Sequence, residues 1–133
     1  MKYTEDFPQE KLERLLKRTS FNGLMTLYAF KIAHDKQVGF SLLKLTGELA
    51  GFNYQYCWGF TIACNSLGIF TYTIQHGIYN VISYEKYLAD NIKSTLEQRV
   101  KKIPSTKNPF NPASIVFKDM RKSNFETVEK FFK

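Results

Sequence analysis

Gly51 to Gly68 reads GFNYQYCWGFTIACNSLG, and the fold turns on it. Gly51 can take the left-handed conformation that a tight turn between two helices needs, and Asn53 can cap a helix running from about Tyr54 to Ser66. Upstream, Ser41 is a good cap for a helix that carries Leu42, Leu45 and Leu49 and ends at Gly51. Downstream, Ile69 to Ile74 is β-branched and aromatic, Gln75-His76-Gly77 suits a turn, and Ile78 to Ile82 returns as a second strand. Charge sets this region apart. Between Lys44 and Lys86 there is no lysine or arginine, and Glu48 is the only charged residue before Glu85, although the 133-residue chain has a net charge of +7.

With these residues in view, the segment is similar to the winged helix-turn-helix family. Gly51 matches the turn glycine, Gly47 the small residue four earlier, Phe52 the hydrophobic residue after the turn and Asn53 the cap. Cys57 and Phe60 stand where the second helix packs on the first, and Leu67 to Phe70 (LGIF) matches the family's Leu-Gly-Leu-Ile exit. The resemblance spans about Phe21 to Ile82. It implies a mainly α chain with a small β-hairpin: a winged helix-turn-helix core with extra N- and C-terminal helices. Gly47, where alanine is usual, and Gly59, in mid-helix, each loosen a helix by roughly a kilocalorie per mole, so the pair depends on tertiary packing.

Outward from the motif, Asp6 is a candidate cap for a first helix with Pro8 in its opening turn and Leu12, Leu15 and Leu16 along one edge. Ser20 or Asn22 opens a second helix to about His34, which carries Leu24, Leu27, Tyr28 and Ile32 and leaves His34 at its end in a surface or capping role. Val38 to Phe40 is long enough only for an edge strand. Ser83 is expected to cap a long helix to about Lys102 with a stripe of Tyr84, Leu88, Ile92, Leu96 and Val100. Pro104 stops it. These segments make one domain over 1–103, and 104–133 forms a connector followed by a short docking helix, opened by the capping box Ser123 to Glu126. Phe110, Ile115, Phe117, Phe131 and Phe132 are too many large apolar groups for a free tail and must dock, on this chain or on a partner.

The length suits a single core that needs no metal or disulfide staple. Cys57 and Cys64 lie seven apart, which fits neither a metal pair nor a disulfide framework, and they read as small apolar core residues. A charged N-terminus without an apolar signal core argues against secretion, and a reducing, cytoplasmic compartment is expected. Polar residues interrupt the uncharged stretch Cys57 to Ile74 and mean hydropathy is slightly negative, so no membrane span is expected. Lysine over arginine, with much Phe, Tyr, Ile and Asn, is what AT-rich codons produce, as in a low-GC bacterium, a phage or a plasmid-like element.

Catalysis is not expected. His34 and His76 are the only histidines, and no phosphate loop, H-x-E, HExxH or GxSxG pattern occurs. No cofactor, metal or small-molecule substrate follows from the sequence. In the family that the chain resembles, the second helix of the motif enters the major groove, which implies contacts from Asn53, Tyr54, Gln55, Trp58 and Gly59. Gln55 suits a paired contact to adenine, and Asn53 or Tyr54 a phosphate. Yet duplex binding draws much of its affinity from Lys and Arg, and this helix and hairpin have none, so Lys44 and Lys86 are the flanking cations closest in sequence. An uncharged aromatic surface of Tyr54 and Trp58, with Tyr72 and Tyr79 on the hairpin and Tyr56 turned inward, suits stacking on single-stranded DNA or a protein interface. Core packing alone would also account for these aromatics. The sequence therefore points to a non-enzymatic winged-helix accessory or adaptor protein in a nucleic-acid process, replication or regulation on a bacterial mobile element. It would bind a protein partner or itself, and DNA directly or through that partner. The alternative is a dimeric regulator that reads duplex DNA.

Overall fold

A computed structural model of the chain describes residues 3–102 and 112–133, and for 112–117 the backbone alone. The first helix, α1 (Gln9–Arg18), starts after Pro8 rather than on a side-chain cap from Asp6: the fixed φ of proline sets the entry, and Leu12 and Leu16 are buried. Ser20 accepts from Gly23 N and opens α2 (Phe21–Lys36), which ends at Gln37 in the left-handed region. A two-residue strand, β1 (Phe40–Ser41), leads into α3 (Leu42–Gly47), where Ser41 accepts from Lys44 N. Gly51 takes φ +74°, and Asn53 accepts from Tyr56 N to start α4 (Tyr54–Leu67), which stops at Gly68 with φ +81°.

The hairpin follows as β2 (Phe70–Gln75) and β3 (Ile78–Tyr84). Its two-residue turn, His76-Gly77, has positive φ at both positions, the geometry that matches strand twist in tight hairpins. β3 runs two residues beyond the expected end at Ile82 and takes in Ser83. The helix cap is therefore Glu85, whose carboxylate accepts from Tyr87 N ahead of α5 (Lys86–Lys101). Tyr84 belongs to the strand, not to the helix stripe; Leu88, Ile92 and Leu96 of that stripe are buried as expected. The three strands form one antiparallel sheet in the order β1-β3-β2, with a bulge between Thr71 and Tyr72.

The core centres on Phe30 of α2. Its ring lies 4.4 Å from that of Phe70, and within 5.9 Å of those of Phe40, Tyr79 and Tyr72, so helix and sheet share one aromatic cluster. The buried Tyr84 hydroxyl donates to Leu27 O at 2.6 Å and ties β3 to α2. His34 is fully buried, not a surface cap. The N-terminal segment covers it: Thr4 pairs with Glu85, Tyr3 stacks on the imidazole at 5.1 Å, and the Tyr3 hydroxyl donates to Asp35 at 2.5 Å.

The last helix, α6 (Pro112–Phe131), is continuous through Ser123, so the capping box does not start a helix; a residue in mid-helix has no orphan donor for it to satisfy. The helix packs on α2 and α5 of the same chain. The Phe125 ring stacks on Tyr28 at 5.5 Å, the Tyr28 hydroxyl donates to Glu129 at 2.8 Å, and Phe132 meets Phe40 edge-on at 5.2 Å. Phe131 and Phe132 are partly buried against the core. Phe110 and the side chains of Ile115 and Phe117 lie outside the described residues. No helix among the described residues is long and apolar enough to cross a membrane.

Candidate functional site

α4 is the exposed helix of the motif. Only Cys57, Thr61 and Cys64 are buried, all on the side that faces α2 and the sheet. At helical spacing Gln55, Gly59, Ile62, Ala63 and Ser66 then run along the middle of the outer face, with Trp58 on one edge and Tyr56 and Leu67 on the other. Trp58 and Tyr56 are each 46% exposed, Ile62 38% and Leu67 63%. None of the fourteen residues is charged. A Cβ built at Gly59 would meet nothing within 4 Å, so the packing of the domain does not require this glycine.

The predicted site residues separate into four groups. Asn53, Gln55 and Trp58 lie exposed at the start of α4, with the Asn53 carbonyl occupied by its cap. Tyr54 and Tyr56 exchange their expected places. Tyr54 is half-buried against the core, whereas Tyr56 is exposed and its hydroxyl is 2.6 Å from Ser20 Oγ, since α2 and the end of α1 stand beside the first turn of α4.

Tyr72 and Tyr79 do not form a stacking surface on the hairpin. Alternation along β3 turns Tyr79 and Val81 inward, and Tyr72 pairs with Val81 and so shares that face. The two rings meet at 4.9 Å within the core. Burial, with the Tyr54 and Tyr72 phenols beside it, pushes the Tyr79 hydroxyl up to about 12. The outward positions of β3 carry Ile78, Asn80 and Ile82 instead.

The two flanking lysines do not converge on α4 as a cationic frame. Lys44 lines a hollow with Glu48, Thr127 and Lys130, and Lys86 has Nζ 3.8 Å from Glu5 beside Asp90. α6 contributes what no local pattern revealed. Buried Asn124 grips Ala50 through both its amide atoms, Oδ1 from Ala50 N at 3.1 Å and Nδ2 to Ala50 O at 2.8 Å, and Met120 lies against Gly51. The α3–α4 turn is thus fixed by a residue 74 positions later in the chain. Ile62 and Leu67 were also missed, although the four-residue step from Trp58 to Ile62 signals the first.

The groups with potential chemical reactivity are committed to packing. The Cys64 thiol is buried and pushed up to about 12, and burial also raises Cys57. His34 Nδ1 is 3.0 Å from Asp35 Oδ1 under the Tyr3 ring. Among the described residues no cluster of three His, Cys, Asp or Glu side chains could hold a metal. His76 is an exposed turn residue at the hairpin tip. Comparison of the chain with family models, with curated proteins and with solved structures finds no match.

Proposed function

We propose that this chain is a non-enzymatic accessory protein with a winged-helix core, which works in a nucleic-acid process by holding a protein partner on the outer face of α4. The observation that carries this reading is that face itself: large apolar groups border it, Trp58 and Ile62 on one side and Tyr56 and Leu67 on the other, and no charge lies along the helix. Exposed aromatics without charge are the composition of an interface centre, and a surface without Lys or Arg is poorly suited to neutralise phosphates. The succession α2, β1, α3, α4, β2, β3, with β3 central in the sheet, supports the winged-helix part of the reading. The commitment of His34, Cys57 and Cys64 to the core supports the absence of catalysis. AT-rich composition remains the ground for placing the protein on a bacterial mobile element.

A photo-cross-linker at position 58 tests the interface. The expected result is a cross-link to a protein, and a complex that Trp58→Ala abolishes while thermal melting stays unchanged. Sequence-selective duplex binding by the protein alone, indifferent to Trp58→Ala, would replace this reading with the second one. That second reading, a dimeric duplex-reading regulator, is favoured by the Ser20–Tyr56 contact, which joins the first turn of α4 to a residue two positions after the basic last turn of α1.

A further inference from the structure

The cations absent from α4 gather where α1 and α5 both finish. Arg99 ties the two helices together: Nη1 donates to Thr19 O at 3.0 Å, and Nη2 to Leu16 O at 3.2 Å and Lys17 O at 2.7 Å. Arg121 of α6 closes the same corner, donating to Arg99 O at 3.2 Å with its guanidinium 4.8 Å over the Phe21 ring. Around these two structural arginines stand Arg14, Lys17, Arg18, Lys101 and Lys102, all exposed. None of the five is in an ion pair with a described residue. Lys17 and Lys102 line one groove of about 320 Å³ between α1 and α5, together with Asn91, Thr95 and Gln98, and Glu13 is its single carboxylate.

Helix C-termini attract cations, but only modestly and within the last turn. Arg99 already satisfies the Leu16 and Lys17 carbonyls at the end of α1 and that of its cap Thr19, and the five exposed cations outnumber Glu10 and Glu13, the carboxylates that share a hollow with Arg14, Lys17 and Arg18. The repulsion among the cations is offset only in part by these two carboxylates, and a further anion among them relieves the rest. Among the described residues the exposed large apolar side chains all fall between Val38 and Ile82, so the described part of this end offers no apolar anchor for a lipid surface. Evenly spaced phosphates meet the cations of the groove and the Gln98 amide, whereas Asn91 and Thr95 already donate to Tyr87 O and Asn91 O.

We infer that the basic end formed by α1 and α5 binds the phosphate backbone of a nucleic acid without reading its sequence, leaving the uncharged face of α4 to the protein partner. The inference rests on the nucleic-acid part of the function proposed above and assigns it a surface. Fluorescence anisotropy with labelled duplex and single-stranded DNA of mixed sequence, between about 50 and 200 mM NaCl, tests it. The combined variant Lys17→Gln, Arg18→Gln, Lys101→Gln, Lys102→Gln is expected to lose at least about tenfold in affinity and to flatten the salt slope by about 3. A control variant elsewhere, Lys44→Gln, Lys86→Gln, Lys130→Gln, is expected to lose less than about twofold. Should the fourfold variant not fold, the pair Lys17→Gln, Lys102→Gln gives a slope change of about half that size. Equal losses in variant and control overturn the assignment of the surface and leave the nucleic-acid reading standing. No binding by the wild type at the lowest salt overturns both. Polyglutamate or phosphatidylserine vesicles bound as tightly as DNA overturn nucleic acid as the occupant.

Discussion

α2 and α4 are both rich in aromatic and small residues, yet α2 buries eleven of its sixteen residues and α4 three of its fourteen. α2 is the one that carries charge, at Lys31, Asp35 and Lys36, and α4 has none. Composition alone would reverse their places. What decides burial is what stands around each helix. α2 is packed by the sheet, α5, α6 and α4, whereas α4 packs on α2, α3 and β2, and among the described residues its outer face is exposed at Gln55, Gly59, Ile62, Ala63 and Ser66. The lesson is that an uncharged helix is not thereby a core helix. Several large apolar groups left out along both edges of one uncharged helix are the informative observation, since single exposed ones are common.

The largest expected effect lies on α2. Phe30→Ala empties the centre of the aromatic cluster, so urea unfolding should show a loss of about 3–5 kcal/mol. A loss below about 1 kcal/mol would break the contrast, because the cluster would then be no core. Next comes the clamp on the turn that aims α4. Asn124→Ala leaves Ala50 N and O without their partner and should cost about 1–3 kcal/mol, with local amide exchange at Ala50 and Gly51 rising more than at Phe30.

A smaller effect depends on pH and concerns the polar end of α2. Partial burial raises Asp35, but hydrogen bonds from Tyr3, His34 and Lys31 outweigh it and hold the carboxyl below its usual value. A folded value below the unfolded one adds stability above the unfolded pKa of about 4, and this is lost as pH falls through the folded value. Asp35→Asn should therefore lower the unfolding midpoint at pH 7 and leave it almost unchanged near pH 2. An equal drop at both pH values would remove the carboxylate from the account.

The smallest change in stability is expected on α4. Trp58→Ala should move the free protein by no more than about 0.5 kcal/mol, because the residue lies 46% exposed at the edge of the outer face. A loss of several kcal/mol would make Trp58 a core residue and erase the difference between the helices.

Local chemistry made much of the backbone legible. Gly51, Asn53, Ser41, Ser20 and Gly68 act where their types predict, since caps and left-handed turns depend on a few adjacent atoms. Cys57 and Cys64 were legible as core residues for the same reason of spacing. Ser83 and Ser123 misled because each can cap a helix, but one stands in a strand that the bulged pairing extends and the other inside a helix. Tyr72 and Tyr79 misled because a strand's alternation is plain while its inward side is not. A shift of one residue in register exchanges every side chain between faces.

The site was legible in part. Trp58, Gln55 and Asn53 are exposed as their positions implied, but Tyr56 is held outward by Ser20, thirty-six residues away, and Tyr54 is drawn inward. The sequence by itself determined where the helices of the motif begin and turn, and that the region between Lys44 and Lys86 has almost no charge. Tertiary structure alone decided which aromatics face out, that Asn124 holds the turn, and that Arg99 and Arg121 draw α1, α5 and α6 into one basic end. The reason is range: caps and turns are settled within a few residues, whereas burial and charge clustering depend on partners that the fold brings from far along the chain.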